Sequence, residues 1–429
     1  MPLTVAVIGS GPAGCYLVER LVREAPGCEI DVIDRLPTPY GLVRAGVAPD
    51  HQSTKSITRV FDRALTREGV AFRGNVEIGR DIGLAELRQL YDAVVIAAGA
   101  PRDRRLEIPG EDLAGIIGSG AFVGWYNGHP DHAVLAPDLS RVRSAVIIGN
   151  GNVALDVARI LAKTQAELAA SDIAPEIAQR LAAAPLREIH IVGRRGPDAA
   201  GFSPQELGEL GELARAAPLV DETDLAGLAA APNPAIITIL HGFAQRPLAA
   251  KPVTLRFHFR ARPLEFAGTG RVVEARFARH DGGVIALPAD LVVTCIGYRS
   301  VPCDTLVPCD TQAQGGAVFA NEAGRIAPGL YVVGWAKRGP SGTIATNRGE
   351  SHEVARRLVA EVAAGDRQGR AGLDRVLAER GARAVDFTAW QRIDAAERAR
   401  ATPGRPREKI VGLANLLAAA AEPGSHAPL

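Results

Sequence analysis

Cysteine is scarce in this chain. The 429 residues include five cysteines, Cys15, Cys28, Cys295, Cys303 and Cys309, and no two of them form a C-x-x-C. The spacings of zinc sites, iron–sulfur clusters and redox dithiols are therefore missing, and no metal site is expected. Cys303 and Cys309 flank a Pro/Asp loop and read as ordinary thiols. Net charge is nearly absent too, at +1. No global field then argues for nucleic acid or a membrane surface, and a charged partner must be met by a local patch. No apolar run approaches the length of a membrane span, and the chain enters a strand at once, without the basic region and cleavage site of a signal peptide. A cytoplasmic protein is expected.

What is present is an ordinary soluble composition, 47% hydrophobic and 23% charged, with enough apolar residues for a large core. The length implies more than one domain, at about 100–200 residues each.

The chain is organised around Val5 to Gly14. The apolar run Val5-Ala6-Val7-Ile8 reads as a buried parallel strand, and a helical pattern resumes at Tyr16, Leu17, Arg20 and Leu21. Between them lies Gly9-Ser10-Gly11-Pro12-Ala13-Gly14, a G-x-G-x-x-G in the strand–helix context that dinucleotides require. Gly9 serves the tight turn, Gly11 the approach to a pyrophosphate, and Gly14 close helix–strand packing. The helix start offers free N–H groups and a favourable dipole to that anion. The next strand, Ile30 to Ile33, ends in Asp34, where a carboxylate can accept hydrogen bonds from a ribose.

A long Pro/Gly-rich loop, Pro37 to Arg44, follows, then Ala48-Pro49-Asp50-His51 and an expected helix from Lys55 to Arg67. His51 is either a surface residue at a helix start or a residue carried back over the sheet toward the cofactor. Val70 to Val76 reads as extended, Leu84 to Leu90 as helical, and Ala93 to Ala98 as a buried strand running into Gly99. A composition shift suggests a domain crossing near residue 106.

Ser144 to Ile148 is another apolar strand, and Gly149-Asn150-Gly151-Asn152-Val153-Ala154 is a second fingerprint, G-x-G-x-x-A, opening a helix from Val153 to Lys163. Two copies in the same context point to two dinucleotides. This copy lacks the acidic residue. After a helical insert over about 165–182, the strand Glu188 to Val192 ends in Gly193-Arg194-Arg195-Gly196. A carboxylate would repel a ribose 2′-phosphate, and arginine binds it bidentately, so NADP(H) is expected here. The stretch 232–321 reads as β-rich with helix largely absent. Its candidate strands are Ala235 to Leu240, Thr254 to Arg262, Val272 to Arg279 and Leu291 to Cys295. The strand Leu330 to Val333 leads through Gly334-Trp335-Ala336-Lys337-Arg338-Gly339-Pro340-Ser341-Gly342 into a helix at Thr343.

The residues point to two dinucleotides or two halves of a redox relay, and with the resemblance described next several functions stay open: a flavin reductase or diaphorase, a flavin monooxygenase, or a non-catalytic flavoprotein redox sensor. The missing C-x-x-C argues against a disulfide reductase.

The chain from about residue 3 to about 415 resembles the adrenodoxin reductase family of ferredoxin–NADP+ reductases, including its bacterial members. The motifs are GSGPAG (9–14), PYGLVRAGVAPDH (39–51), GNV (74–76), WYNG (125–128), IGNGNVALDVARIL (148–161), VGRRGP (192–197), IGYRS (296–300), GWAKRGPSG (334–342) and GRPREK (404–409). The resemblance implies an α/β protein with two Rossmann-like, glutathione-reductase-like domains. A discontinuous FAD domain (1–105 and 332–429) would carry an inserted NADP(H) domain (106–331). It places FAD on Ala13, Asp34, Leu42, Val76, Trp335, Gly342, Thr343 and Ile344, beside Gly9, Gly11 and Gly14 of the fingerprint. It places NADP(H) on Asn150, Gly151, Asn152, Val153, Arg194, Arg195, Glu206 and Gly342. His51 and Asp156 are its candidates for catalysis, by proton handling or positioning. The implied activity is hydride transfer from NADPH to FAD, then single electrons to an acidic ferredoxin, with cytochrome P450 systems among downstream consumers. Lys337 and Arg338 are expected to steer that partner, and a monomer is expected. Asp34 stands where many relatives have Glu, Gln52 where many have Pro, and the loop 199–206 departs from the usual pattern.

Overall fold

The computed structural model describes residues 1–228, 232–246, 251–301, 309–310 and 318–421. The side chains of Cys303 and Cys309 lie outside this description. The chain begins with β1 (Thr4–Ile8), α1 (Pro12–Glu24), β2 (Glu29–Ile33), α2 (Leu42–Ala45), α3 (Gln52–Lys55), α4 (Thr58–Leu65), β3 (Val70–Arg73), α5 (Leu84–Leu90) and β4 (Ala93–Ile96). The helix expected from Lys55 to Arg67 is thus two helices, and the extended run from Val70 stops at Arg73, because Asn75 turns the chain with φ +59°.

A short β5 (Arg102–Asp103) leads into β6 (Ile116–Gly118), α6 (Ser119–Tyr126), β7 (Ser144–Ile148), α7 (Asn152–Ala162), α8 (Pro175–Ala183), β8 (Glu188–Val192), α9 (Pro204–Glu209), β9 (Ala216–Leu219) and α10 (Pro234–Gln245). Next come β10 (Val253–His258), β11 (Ala261–Ala267), β12 (Glu274–Arg279), β13 (Val284–Pro288), β14 (Leu291–Thr294), β15 (Tyr298–Arg299) and the β16–β17 pair (Cys309–Asp310 with Val318–Phe319). The chain closes with β18 (Arg325–Ala327), β19 (Leu330–Val332), α11 (Trp335–Arg338), α12 (Ile344–Glu361), α13 (Gly369–Glu379), α14 (Phe387–Arg400) and α15 (Leu413–Ala420).

Two six-stranded sheets result. One has the order β18-β19-β4-β1-β2-β3, and the other β6-β14-β7-β8-β10-β9. All their pairings are parallel except β18 with β19. The central strands β1 and β7 are buried at every position because both faces are covered, and all but their first residues, Thr4 and Ser144, are apolar. The return to the first sheet is already made at Arg325, so the expected boundary between residues 331 and 332 falls inside β19. The units are joined by an antiparallel ribbon in which Tyr298 pairs with Asp103 and Arg299 with Arg102.

Ala235 to Leu240 is not a strand. It lies within α10, started by Pro234, whose fixed φ and missing N–H suit the first helical turn. Ile236, Ile237, Leu240 and Phe243 are the buried residues, a helical spacing that a window of six conceals. The run Thr254 to Arg262 breaks at Arg260, which has φ +53°, and divides between two sheets. The insert at 165–182 is α-helical only from Pro175.

Candidate active site

The two glycine loops repeat one geometry. Gly9 has φ +109° and Gly149 φ +146°, and a Cβ on either would meet a backbone oxygen, Ala97 O at 2.5 Å or Cys295 O at 2.3 Å. A Cβ on Gly14 would sit 2.1 Å from Gly9 O. These three glycines are required by the chain itself. Gly11 and Gly151 are different. Their φ values are −70° and −121°, which any residue adopts. The nearest atom to a Cβ on Gly11 is Gly41 Cα at 4.0 Å, and a Cβ on Gly151 meets nothing within 4 Å. Each loop thus leaves a side-chain-sized space at a helix N-terminus, as a bound pyrophosphate needs.

The residues expected around FAD assemble about the first space. Asp34 ends β2, half-buried, and its carboxylate accepts from Ser10 N (2.9 Å) and Leu36 N (3.0 Å). Val76 N donates to Asp34 O at 3.0 Å. Leu42 starts α2 beside Gly41 and is 45% exposed, one of few large apolar side chains left open. From the far end of the chain, Gly334 packs so tightly on the start of α1 that its Cβ would lie 2.6 Å from Ala13 Cβ. That contact delivers Trp335, whose Nε1 donates to Ser341 O at 3.0 Å and whose ring stacks on Tyr298 at 5.8 Å. Gly342 (φ +80°) and Thr343 form the entry to α12, with Ile344 as its first residue. Gly342 is the position expected against both cofactors.

The residues expected around NADP(H) assemble about the second space. Gly201 N donates to Asn150 O at 2.6 Å, and Ser203 N to Asn152 Oδ1 at 2.7 Å, so the loop 199–203 runs along the fingerprint. The Asn150 amide covers Gly193 and has no protein partner. Val153 lies in the first turn of α7. Arg194 and Arg195 leave the end of β8 exposed, with no ion pair among the described residues.

Between the two groups lies a charged cleft, and here the structure joins both catalytic candidates. His51, from the first unit, has Nε2 3.1 Å from Glu209 and 3.5 Å from Glu206, and Nδ1 3.8 Å from Asp156. Arg159, 1% exposed, binds Asp50 (3.0 Å), Asp156 (2.8 Å), Glu206 (3.1 Å) and Glu209 (3.2 Å). Lys163 adds a second cation to Asp50. Burial works to raise the Asp50 pKa, but hydrogen bonds and charge from Arg159, with Lys163, hold it well below the carboxylate range. Burial raises Asp156. Glu206 is pushed up to about 7, by burial first and then by the charge of Asp156. His51, Asp156 and Glu206 are close enough to share a metal ion, but Arg159 already bridges the carboxylates.

Glu209, Asp50 and Arg159 were not foreseen as site residues. Asp50 and Arg159 lie inside the motifs 39–51 and 148–161, and Glu206/Glu209 and Asp156/Arg159 are i, i+3 pairs that face one way on a helix. Lys337 and Arg338 do not form the expected free basic patch. Both are half-buried and paired with Glu350, Lys337 at 3.0 Å.

The Glu206 shift has a testable sign. The proton is held more tightly in the folded chain, at about 7, than at the ordinary 4.5. That contribution to stability is complete below the unfolded value and is lost as pH rises through the folded one. In nucleotide-free protein, Glu206→Gln should therefore raise Tm more at pH 8 than at pH 5. Equal shifts at both pH values would show that Glu206 ionises normally.

Two nucleotide-binding units closing on one cleft of carboxylates, histidine and arginine define a pyridine-nucleotide oxidoreductase. The family profile described as pyridine nucleotide-disulphide oxidoreductase matches residues 3–191. The chain is 39% identical to NADPH:adrenodoxin oxidoreductase, mitochondrial, of Arabidopsis thaliana, over 98% of this chain and 96% of that one. It is 40% identical to NADPH-ferredoxin reductase FprA of Mycobacterium tuberculosis, over 97% and 98%. The solved structure of Mycobacterium tuberculosis FprA in complex with NADPH superposes with a TM-score of 0.92 at 38% identity, covering 98% of this chain and all of that one. The chain belongs to the family of the NADPH:adrenodoxin and NADPH-ferredoxin reductases.

Proposed function

We propose that this protein is an FAD-dependent NADPH–ferredoxin reductase, moving electrons from NADPH to a ferredoxin-type iron–sulfur protein. The observation that carries this reading is the pair of open glycine loops, each with space for a pyrophosphate, on units that meet at His51. FAD, when bound, accepts two electrons as hydride and releases them singly.

The chain's own residues bind and orient. Gly11, Ala13, Asp34, Leu42, Val76, Trp335 and the 342–344 turn would hold FAD. Asn150 to Val153, Arg194, Arg195 and Glu206 would hold NADP(H). His51 and Asp156 position the cleft and exchange protons with Glu206 and Glu209. The N-terminus of α12 favours negative charge beside it by about 0.3–2 kcal/mol. The FAD-binding domain is read as 1–105 with the returning segment from β18 onward, and the NADP(H)-binding domain as the part between.

The partner is read as an acidic ferredoxin. With Lys337 and Arg338 tied to Glu350, attraction falls to Arg102, Arg104 and Arg299 on the interdomain ribbon. All three are exposed and without an ion pair among the described residues. Arg102 directly faces Arg299, an arrangement that costs stability in a two-stranded pair and favours an anionic partner. The protein is further read as a cytoplasmic monomer. No helix among the described residues is long and apolar enough to cross a membrane.

The test is NADPH-dependent cytochrome c reduction with and without added ferredoxin. Ferredoxin should accelerate it, and rising salt should slow the ferredoxin step, since exposed charges are screened over about 8 Å at physiological ionic strength. NADPH bleaching of the flavin should change less. A flavin that NADPH does not bleach would indicate a redox sensor. Oxygen uptake coupled to hydroxylation, independent of ferredoxin, would indicate a monooxygenase.

A further inference from the structure

Parts of three sequence motifs reach neither glycine loop: Asn127 of WYNG, Lys409 of GRPREK, and the helix α3 that follows APDH. They converge on one buried point between the two units. Lys55, at the end of α3, has Nζ 2.8 Å from both carboxylate oxygens of Asp172 and 3.3 Å from Asn127 Oδ1. Lys409 Nζ lies 3.1 Å from the same Asn127 oxygen, 3.4 Å from Asp172 and 2.9 Å from Arg44 O. Lys55 is 8% exposed, Lys409 3%, Asp172 2% and Asn127 2%.

The chain origins of these groups matter. Lys55 and Lys409 come from the first unit and the C-terminal segment, Asp172 and Asn127 from the inserted unit. The segment around Lys409 is fixed on both sides. Glu397, fully buried, binds Arg44, Arg407 and Ile410 N. Arg405 reaches the Ser171 and Ile173 carbonyls, and Asp172 N donates to Pro49 O at 3.1 Å.

We infer that the Lys55–Asp172–Lys409–Asn127 network is a positioning device: it holds the NADP(H) unit at the one orientation, relative to the FAD unit, in which hydride can pass. The inference rests on the reading of the His51 cleft as the hydride-transfer site. Apolar packing tolerates sliding, whereas buried ammonium groups and a carboxylate have full partners at one relative placement only. A rotation of either unit would leave the buried Lys55 and Lys409 amines without their partners. The His51–Glu209 contact spans the same interface, so the network that fixes the interface also fixes the cleft.

The test uses FAD-loaded full-length protein carrying Asp172→Asn, with Asp172→Glu as the conservative variant. Three quantities are measured: NADP+ Kd, the rate of flavin bleaching by saturating NADPH, and the distance distribution between spin labels on the two units. The labels sit on Ala378→Cys and Val284→Cys, both exposed, with Cys295, Cys303 and Cys309 replaced by alanine. Asp172→Asn should broaden the distance distribution and slow bleaching about 10–100-fold, the scale of a misplacement of about 1 Å. NADP+ Kd and FAD content should stay within about twofold, because Asp172 is bound to Lys55 and Lys409 and lies at neither glycine loop. Asp172→Glu should recover part of the rate. Should Asp172→Asn fail to fold, Lys55→Met/Asp172→Leu/Lys409→Met keeps the volume filled without the charges and takes the same measurements. An unchanged distance distribution would overturn the inference. A broadened distribution with an unchanged rate would uphold the network as an interdomain lock and overturn the reading of the cleft as the hydride site.

Discussion

Arg194→Ala/Arg195→Ala is expected to raise the KM for NADPH at least about tenfold, leave kcat nearly intact, and hardly change kinetics with NADH. The two arginines leave the end of β8, where an NAD site carries a carboxylate. Both are exposed and have no ion pair among the described residues, so removing them breaks no salt bridge seen there. Their proposed role is toward a ligand. A charge-assisted hydrogen bond contributes about 1.5–3 kcal/mol, less where water competes, and about 1.4 kcal/mol is one decade of affinity. A contact on the ribose phosphate is remote from the reacting carbon. It binds ground state and transition state alike, which moves KM and not kcat. Steady-state kinetics with both coenzymes decide the matter. A wild type that prefers NADH, or a variant that loses both coenzymes equally, would show that the arginines are structural.

Gly11→Val should give a folded, colourless protein, and Gly151→Val a yellow protein that no longer responds to NADPH. Neither glycine is required by its backbone, since φ is −70° and −121°, and neither Cβ would meet protein closer than 4.0 Å. The added side chain enters the space proposed for the pyrophosphate. A loss of at least about 100-fold in affinity, about 2.7 kcal/mol, is expected at the matching site alone. Gly14→Val is the contrast. Its Cβ would lie 2.1 Å from Gly9 O, so the chain itself is disrupted and solubility should fall. Flavin absorbance, NADP+ titration and Tm separate the three variants. Full flavin content in Gly11→Val would mean that the first loop does not hold the cofactor.

Some of this was legible from residue order, and some was misread. Both strand–glycine–helix units stand where the pattern put them, because each is a local structure of about 15 residues. The expected strand Ala235 to Leu240 is a helix instead. A short run rich in isoleucine suits either state, and only the surface it packs on chooses between them. Lys337 and Arg338 read as free cations because their partner, Glu350, lies a full helix entry further on. His51 and Asp156 were singled out as a pair by resemblance. Arg159, within the motif 148–161, and Glu209, marked only by its i, i+3 spacing from Glu206, complete their cluster.

The sequence by itself set out the number and kind of nucleotide units and the expectation of a coenzyme with a 2′-phosphate. Those features follow from the order of neighbouring residues: a strand, a turn that only glycine can make, a helix start, and the charge at the next strand's end. The tertiary structure alone decided how the units face each other. Lys55 meets Asp172 across 117 residues, Lys409 meets Asn127 across 282, and His51 meets Glu209 across 158. Such contacts leave no periodic trace, because the partner of a buried charge is set by where distant segments pack, and packing follows from the whole core at once.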